Sequence, residues 1–167
     1  MSAFTSLGFF DTSTFTATYV MKYRQMMLES NDPLHYAVKT LDLVKDGDEQ
    51  TVVANWRAAK ALIQRIEAHL ATQPRLAKIV NAQVVALGPL ARIAWDDTSR
   101  DNVEGLLRVH LVLIPCPGAW VYSNGEQAIL PVGFATIVNH AGLNSEINAD
   151  YRHTTHKLVL ELQLEPV

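Results

Sequence analysis

The chain has 167 residues, 49% of them hydrophobic and 19% charged, with a formal net charge of -3. That length suits one domain with a full hydrophobic core. The charge balance gives no long-range attraction to nucleic acid or to an anionic membrane, and aromatic residues are not interleaved with a basic patch as a single-stranded nucleic-acid groove would need.

The first stretch, MSAFTSLGFFDTSTF, has no basic leader and no sustained apolar run, so it does not read as a signal peptide. No later run approaches a membrane span, and a soluble cytoplasmic protein is the expectation. The apolar residues of MSAFTSLGFF suit either a contact within a homo-oligomer or larger assembly, or closure of the fold. A helix is expected through TATYVMKYRQMMLES, with Tyr19, Tyr23, Met26 and Met27 as a core stripe. Asp46, Gly47 and Asp48 suit a turn and cap before TVVANWRAAKALIQRIEAHLATQ. There Val52, Trp56, Ala59, Ile63, Ile66 and Leu70 recur in steps of three and four, the spacing of one helix face. Pro74 is placed to open a shorter helix through PRLAKIVNAQ, since a first helical position needs no N–H.

From Leu87 onward the spacing switches to alternation. In LLRVHLVLI, Arg108, His110 and Val112 share one face of a strand and Leu107, Val109, Leu111 and Leu113 the other. Asn124-Gly125 lies between two strand-like runs, and both residues tolerate the positive φ of a tight hairpin. GFATIVN reads as a short strand, followed by a polar loop, NHAGLNSEIN. In HKLVLELQLEP, Lys157, Val159, Glu161 and Gln163 alternate with four leucines. The single cysteine, Cys116 between Pro115 and Pro117, reads as a small turn residue, with no neighbouring base to activate it. Five or more closely spaced strands predict a barrel or jelly roll. The expected layout is one domain, with a helical layer over residues 1–86 and a β core over 87–167.

Four segments in order carry a family resemblance: GPLARIAWDD, NVEGLLRVHLVLIPCPG, ILPVGFATIVNHAGLNSEIN and HKLVLELQLEP. Together they resemble the aspartyl/asparaginyl β-hydroxylases and the related proline hydroxylases, which are iron(II)/2-oxoglutarate oxygenases. The resemblance covers roughly the second half of the chain. It implies a mainly β fold with N-terminal helices, the double-stranded β-helix, a cupin-like jelly roll. It also implies that Arg108, His110 and Lys157 grip the carboxylate of 2-oxoglutarate. A guanidinium does so through paired, charge-assisted hydrogen bonds, and lysine keeps the charge without the flat fork.

The metal positions depart from the family. A non-haem iron(II) site needs two imidazoles, usually with one carboxylate. In IAWDD the first ligand position falls on Trp95 with Asp97 retained, or on Asp97 itself; the second histidine's position falls on Asn144. An indole and a carboxamide are poor substitutes for imidazole.

Three functional readings follow. In the leading one the chain has lost its iron, needs no cofactor, and acts as a non-catalytic binding or structural component, alone or within a larger assembly, with Trp95 filling the vacated space. In the second it is an active hydroxylase using iron(II) and 2-oxoglutarate, with Asp97, His140 and either His153 or His156 as displaced ligands. In the third, Arg108, His110 and Lys157 bind a small carboxylate without redox chemistry. The plainer expectations are an Arg108 paired with Glu161 or Asp97, a hydrogen-bonded core His110, a polar turn at Asp96 and Asp97, and His153 and His156 in or beside a solvated loop.

Overall fold

A computed structural model describes residues 4–23, 38–94, 106–123, 125–138 and 144–165. Of the strands, β1 (Phe4–Phe9), β2 (Val38–Lys45), β3 (Asp48–Glu49), β4 (Leu76–Leu87), β6 (Leu106–Ile114), β9 (Phe134–Val138) and β11 (Thr155–Leu164) form one sheet, in the order β1-β9-β6-β11-β4-β2-β3. β5 (Arg92–Ala94), β7 (Ala119–Ser123), β8 (Glu126–Ala128) and β10 (Asn144–Asn148) form a second, in the order β5-β10-β7-β8. All strand pairs within the sheets are antiparallel. From β4 onward the chain passes back and forth between the two sheets. With helices at the N-terminal side, this is the expected double-stranded β-helix, a cupin-like jelly roll.

The alternation read in β6 and β11 decides what each face of the large sheet meets. Val109, Leu111, Leu113, Leu158, Leu160 and Leu162 join one core with residues from the helices. The helices are α1 (Ser13–Lys22), α2 (Thr51–Ala54) and α3 (Arg57–Leu70). The other face turns toward the small sheet, where Val112 and Val138 meet Val121 and Leu130 in a second, smaller core.

Several expectations change. The helix expected from Thr51 is two, because the backbone leaves helical geometry at Asn55 and Trp56. Trp56 turns its ring back onto α1, with its centroid 4.8 Å from that of Phe15. Its Nε1 donates a hydrogen bond to Thr18 Oγ1 at 2.8 Å. The buried side of this segment runs through Val53, Trp56, Ala59, Leu62, Ile63, Ile66 and Leu70, while Val52 is only partly covered. Asp46 and Gly47 both have positive φ and turn β2 into β3, so the expected cap is a strand hairpin.

PRLAKIVNAQ is not a helix but the entry to β4. Arg75 takes a φ of 73°, which a helix cannot continue through. β4 then pairs with β11 on one side and β2 on the other, burying Ile79, Val84 and Val85. The division at residues 86/87 therefore fails as a boundary: β4 runs across it, and β1, β2 and β3 belong to the large sheet. A hairpin joins β7 to β8 as expected, with Ser123 paired to Glu126 and Gly125 at positive φ, while Asn124 lies outside the described residues. Met26 and Met27 lie outside the described residues, whereas Phe15 and Tyr19 of α1 are buried. Among the described residues, no helix is long and apolar enough to cross a membrane.

One polar contact ties the helical layer to the large sheet. His156 is a fully enclosed strand residue, not part of a solvated loop, and its Nδ1 lies 2.9 Å from the Tyr19 hydroxyl. Burial lowers the His156 pKa to about 4 and raises that of Tyr19 to about 12, so both stay neutral around pH 7. The unfolded chain takes up this proton near pH 6.5 and the folded chain only near 4. Its contribution to stability is thus complete above pH 6.5 and lost as pH falls toward 4, at up to about 1.4 kcal/mol per pH unit. In urea denaturation between pH 7.5 and pH 4, roughly, the His156→Asn variant should show a flatter acid loss than wild type. Parallel profiles would contradict a buried neutral imidazole.

Candidate functional site

The inward face of the large sheet carries the residues picked out by the resemblance. Arg108 and His110 alternate inward along β6, and Lys157 does so near the start of β11; all three are buried. Lys157 Nζ lies 3.2 Å from His110 Nδ1. An ammonium group has only donors, so this contact makes Nδ1 the acceptor and leaves the ring proton on Nε2.

The second partner of Lys157 was not anticipated. Glu146, on β10 of the small sheet, forms an ion pair with it, and both side chains are almost fully excluded from solvent. Arg108 occupies the register position directly opposite Glu161. Glu161 in turn accepts a hydrogen bond from Asn81 Nδ2 at 3.3 Å. Of the three residues named for the grip, His110 and Lys157 are in contact and Lys157 holds a protein carboxylate, while Arg108 lies level with Glu161, the neighbour named for it in the plainer expectation.

A cavity of about 20 Å³ adjoins the pair, lined by Val112, Val121, Leu130, Thr155, Lys157 and Glu146 among others. That is room for about one water molecule. A wider cleft of about 400 Å³ is bordered by Arg92, Ile93, Ala94, Tyr122, Ser145, Glu146 and Ile147. Glu146 thus belongs to the lining of both.

Beyond the pair, Asn148 of β10 organises the turn into β11. Its Nδ2 donates to the carbonyls of Leu87 (3.0 Å) and His153 (2.7 Å). Its Oδ1 accepts from the backbone N–H of Asp150 at 3.0 Å. Cys116 is buried with its thiol 3.4 Å from the same Oδ1, and burial pushes the thiol pKa up. It is a structural residue, as expected.

Of the proposed displaced ligands, the two described histidines have different surroundings. The His153 ring is exposed and bonded to Asp150, with Nδ1 3.1 Å from Oδ2. His156 turns toward the helical layer, away from the Lys157 face, because adjacent residues of a strand point to opposite faces. Asp97, His140 and Trp95 lie outside the described residues. Asn144 begins β10, where its backbone pairs with Ser123. Ala94 pairs with Ser145, so Trp95 follows and Asn144 precedes one paired position in the sequence.

Sequence reasoning missed Glu146 because NSEIN read as loop. The available signal was a short alternation, with Asn144, Glu146 and Asn148 on one face and Ser145 and Ile147 on the other.

No family model matches the sequence, and no curated protein matches it. Solved structures do. A prolyl-4-hydroxylase from Pseudomonas putida is similar at 13% identity and a TM-score of 0.55, over 98% of this chain and 94% of that one. A 2OG-Fe(II) oxygenase family oxidoreductase from Burkholderia pseudomallei is similar at 14% identity and a TM-score of 0.52, over 88% and 78%. The non-heme alpha ketoglutarate dependent epimerase SnoN from nogalamycin biosynthesis is similar at 11% identity and a TM-score of 0.57, over 96% and 77%. What the chain shares with these oxygenases is the double-stranded β-helix.

Among the described residues, no three His, Cys, Asp or Glu side chains stand together as a metal site. Lys157 holds the Glu146 carboxylate, and the cavity beside the pair is far below the roughly 300–1,000 Å³ of ordinary ligand pockets, whereas the cleft that also has Glu146 in its lining, about 400 Å³, lies within that range.

Removing one member of a buried ion pair leaves the other without compensation, at about 3–5 kcal/mol. Lys157→Met should lose stability of that order in urea denaturation. Adding Glu146→Gln to it should restore a large part of the loss, giving a coupling energy of about 1–3 kcal/mol. Additive effects would show that the two charges do not depend on each other.

Proposed function

We propose that this chain is a non-catalytic double-stranded β-helix protein that works through its outer surfaces as a binding or structural component. The observation that carries this reading is the Lys157–Glu146 pair. Lys157 is the position at which the resemblance puts the cosubstrate grip, and the protein supplies that position with its own glutamate. His110 serves as a third member of the same closed polar group.

Two further features support it. Trp95 and Asn144 occupy the sequence positions at which the resemblance expects imidazoles, and neither indole nor carboxamide gives iron(II) a strong nitrogen donor. On the outside, Phe9 is 62% exposed and packs its ring at a tilt against exposed Phe134, centroids 5.2 Å apart, and Val132 is exposed as well. An apolar cluster of this kind is characteristic of surfaces that meet another protein.

The test is anaerobic incubation of the full chain with iron(II) and 2-oxoglutarate, followed by desalting, metal analysis and a succinate assay in air. The expected result is substoichiometric iron and no succinate above the protein-free control. Stoichiometric iron that is lost in Asp97→Ala and His140→Ala variants would overturn the proposal in favour of an active oxygenase with displaced ligands.

A further inference from the structure

We propose that Glu146 is a built-in ligand: its carboxylate fills a seat on Lys157 shaped for a small monocarboxylate, and acetate takes that seat when the side chain is shortened. The inference builds on the non-catalytic reading, which explains why the seat is filled from within.

Three observations define the seat. The first is charge. Lys157 is 3% exposed and on the face opposite the leucines of β11, so its ammonium needs an anion inside the fold. Glu146 provides it, and His110 Nδ1 accepts a second N–H at 3.2 Å. The second is shape. The adjoining cavity of about 20 Å³ is lined mainly by apolar side chains, Val112, Val121, Ile129 and Leu130, with Thr155 and Cys116 beside them, and its size suits one methyl or methylene group rather than a larger anion. The third is position. A cleft of about 400 Å³ bordered by Arg92, Tyr122 and Ser145 also has Glu146 in its lining, while the glutamate side chain itself is closed off from solvent.

The chemistry of truncation then selects the ligand. Glu146→Ala deletes a methylene and its carboxylate, the fragment that acetate reproduces with one added hydrogen. The variant retains the ammonium, the imidazole acceptor and the apolar walls. Propionate uses the adjoining cavity for its extra methylene, whereas acetamide has the shape of acetate without the charge.

Thermal unfolding of the full-length Glu146→Ala protein, in sodium acetate against sodium chloride at equal pH and ionic strength, tests this. Acetate should raise Tm in a saturable way, by roughly 5 °C or more at saturation. Acetamide should have no such effect, and neither wild type nor the Glu146→Ala/Lys157→Met double variant should respond to acetate. Equal Tm in acetate and chloride overturns the proposal, as does an equal acetate gain in wild type or the double variant.

Should Glu146→Ala not fold in chloride, its refolding yield from urea is measured in both salts. Recovery in acetate alone supports the seat. Recovery in neither salt, alongside a double variant that folds, overturns it. Failure of the acetate effect with no iron bound to wild type removes the seat and leaves the non-catalytic reading standing. Iron bound to wild type together with acetate rescue removes that reading and leaves the seat.

Discussion

Strand β11 sets the constraint on which the rest of the molecule depends. It lies between β6 and β4, and every side chain from Thr155 to Leu162 is buried. Its two faces make opposite demands. Leu158, Leu160 and Leu162 need apolar partners and find them in α1 and α3, each contributing about 1.5–3 kcal/mol by burial. Lys157 and Glu161 need polar partners where water is absent, because an isolated buried charge is far costlier than an exposed one. The helical layer answers the first demand. Glu146 for Lys157 and Asn81 for Glu161 help answer the second.

The two faces are also linked at one end of the strand. His156 and Lys157 are consecutive residues of β11 and so serve opposite sides of the large sheet, at the point where the register against β6 shifts. His156 meets Tyr19 within the helical layer, and Lys157 meets Glu146 across the inter-sheet space. A helix, the large sheet and the small sheet thus meet through two neighbouring residues. A displacement of β10 that pulled Glu146 from Lys157 would act within one peptide unit of the contact that seats α1.

Legibility in the sequence followed the pattern of burial. β6 and β11 were readable because their two faces differ in chemistry, so alternation marks both the strand and its inward residues, Arg108, His110 and Lys157. The Asn124-Gly125 hairpin was readable because its turn needs residues that tolerate positive φ. β4 was misread because both of its neighbours are strands and much of it is apolar on either face, which removes the alternation on which strand recognition relies. Trp56 belonged to the right stripe, yet the chain leaves the helix there to stack it on Phe15, a tertiary preference invisible to periodicity. Glu146 was missed for another reason. Its strand is short, and its partner lies in the other sheet, so only the winding of the chain brings the two charges together.

That pairing also bears on how such an interior changes. A buried ion pair contributes little net stability compared with apolar residues of similar volume, because desolvation offsets most of the Coulomb attraction. Loss of one partner alone is far more damaging than loss of both. Substituting Glu146 first leaves an ammonium that must draw in an outside anion or release its proton; substituting Lys157 first leaves a carboxylate with the same difficulty. The interior therefore has two self-consistent chemistries at this point, a lysine with an anion or neither charge. Glu146 selects the first of these by supplying the anion from within the chain.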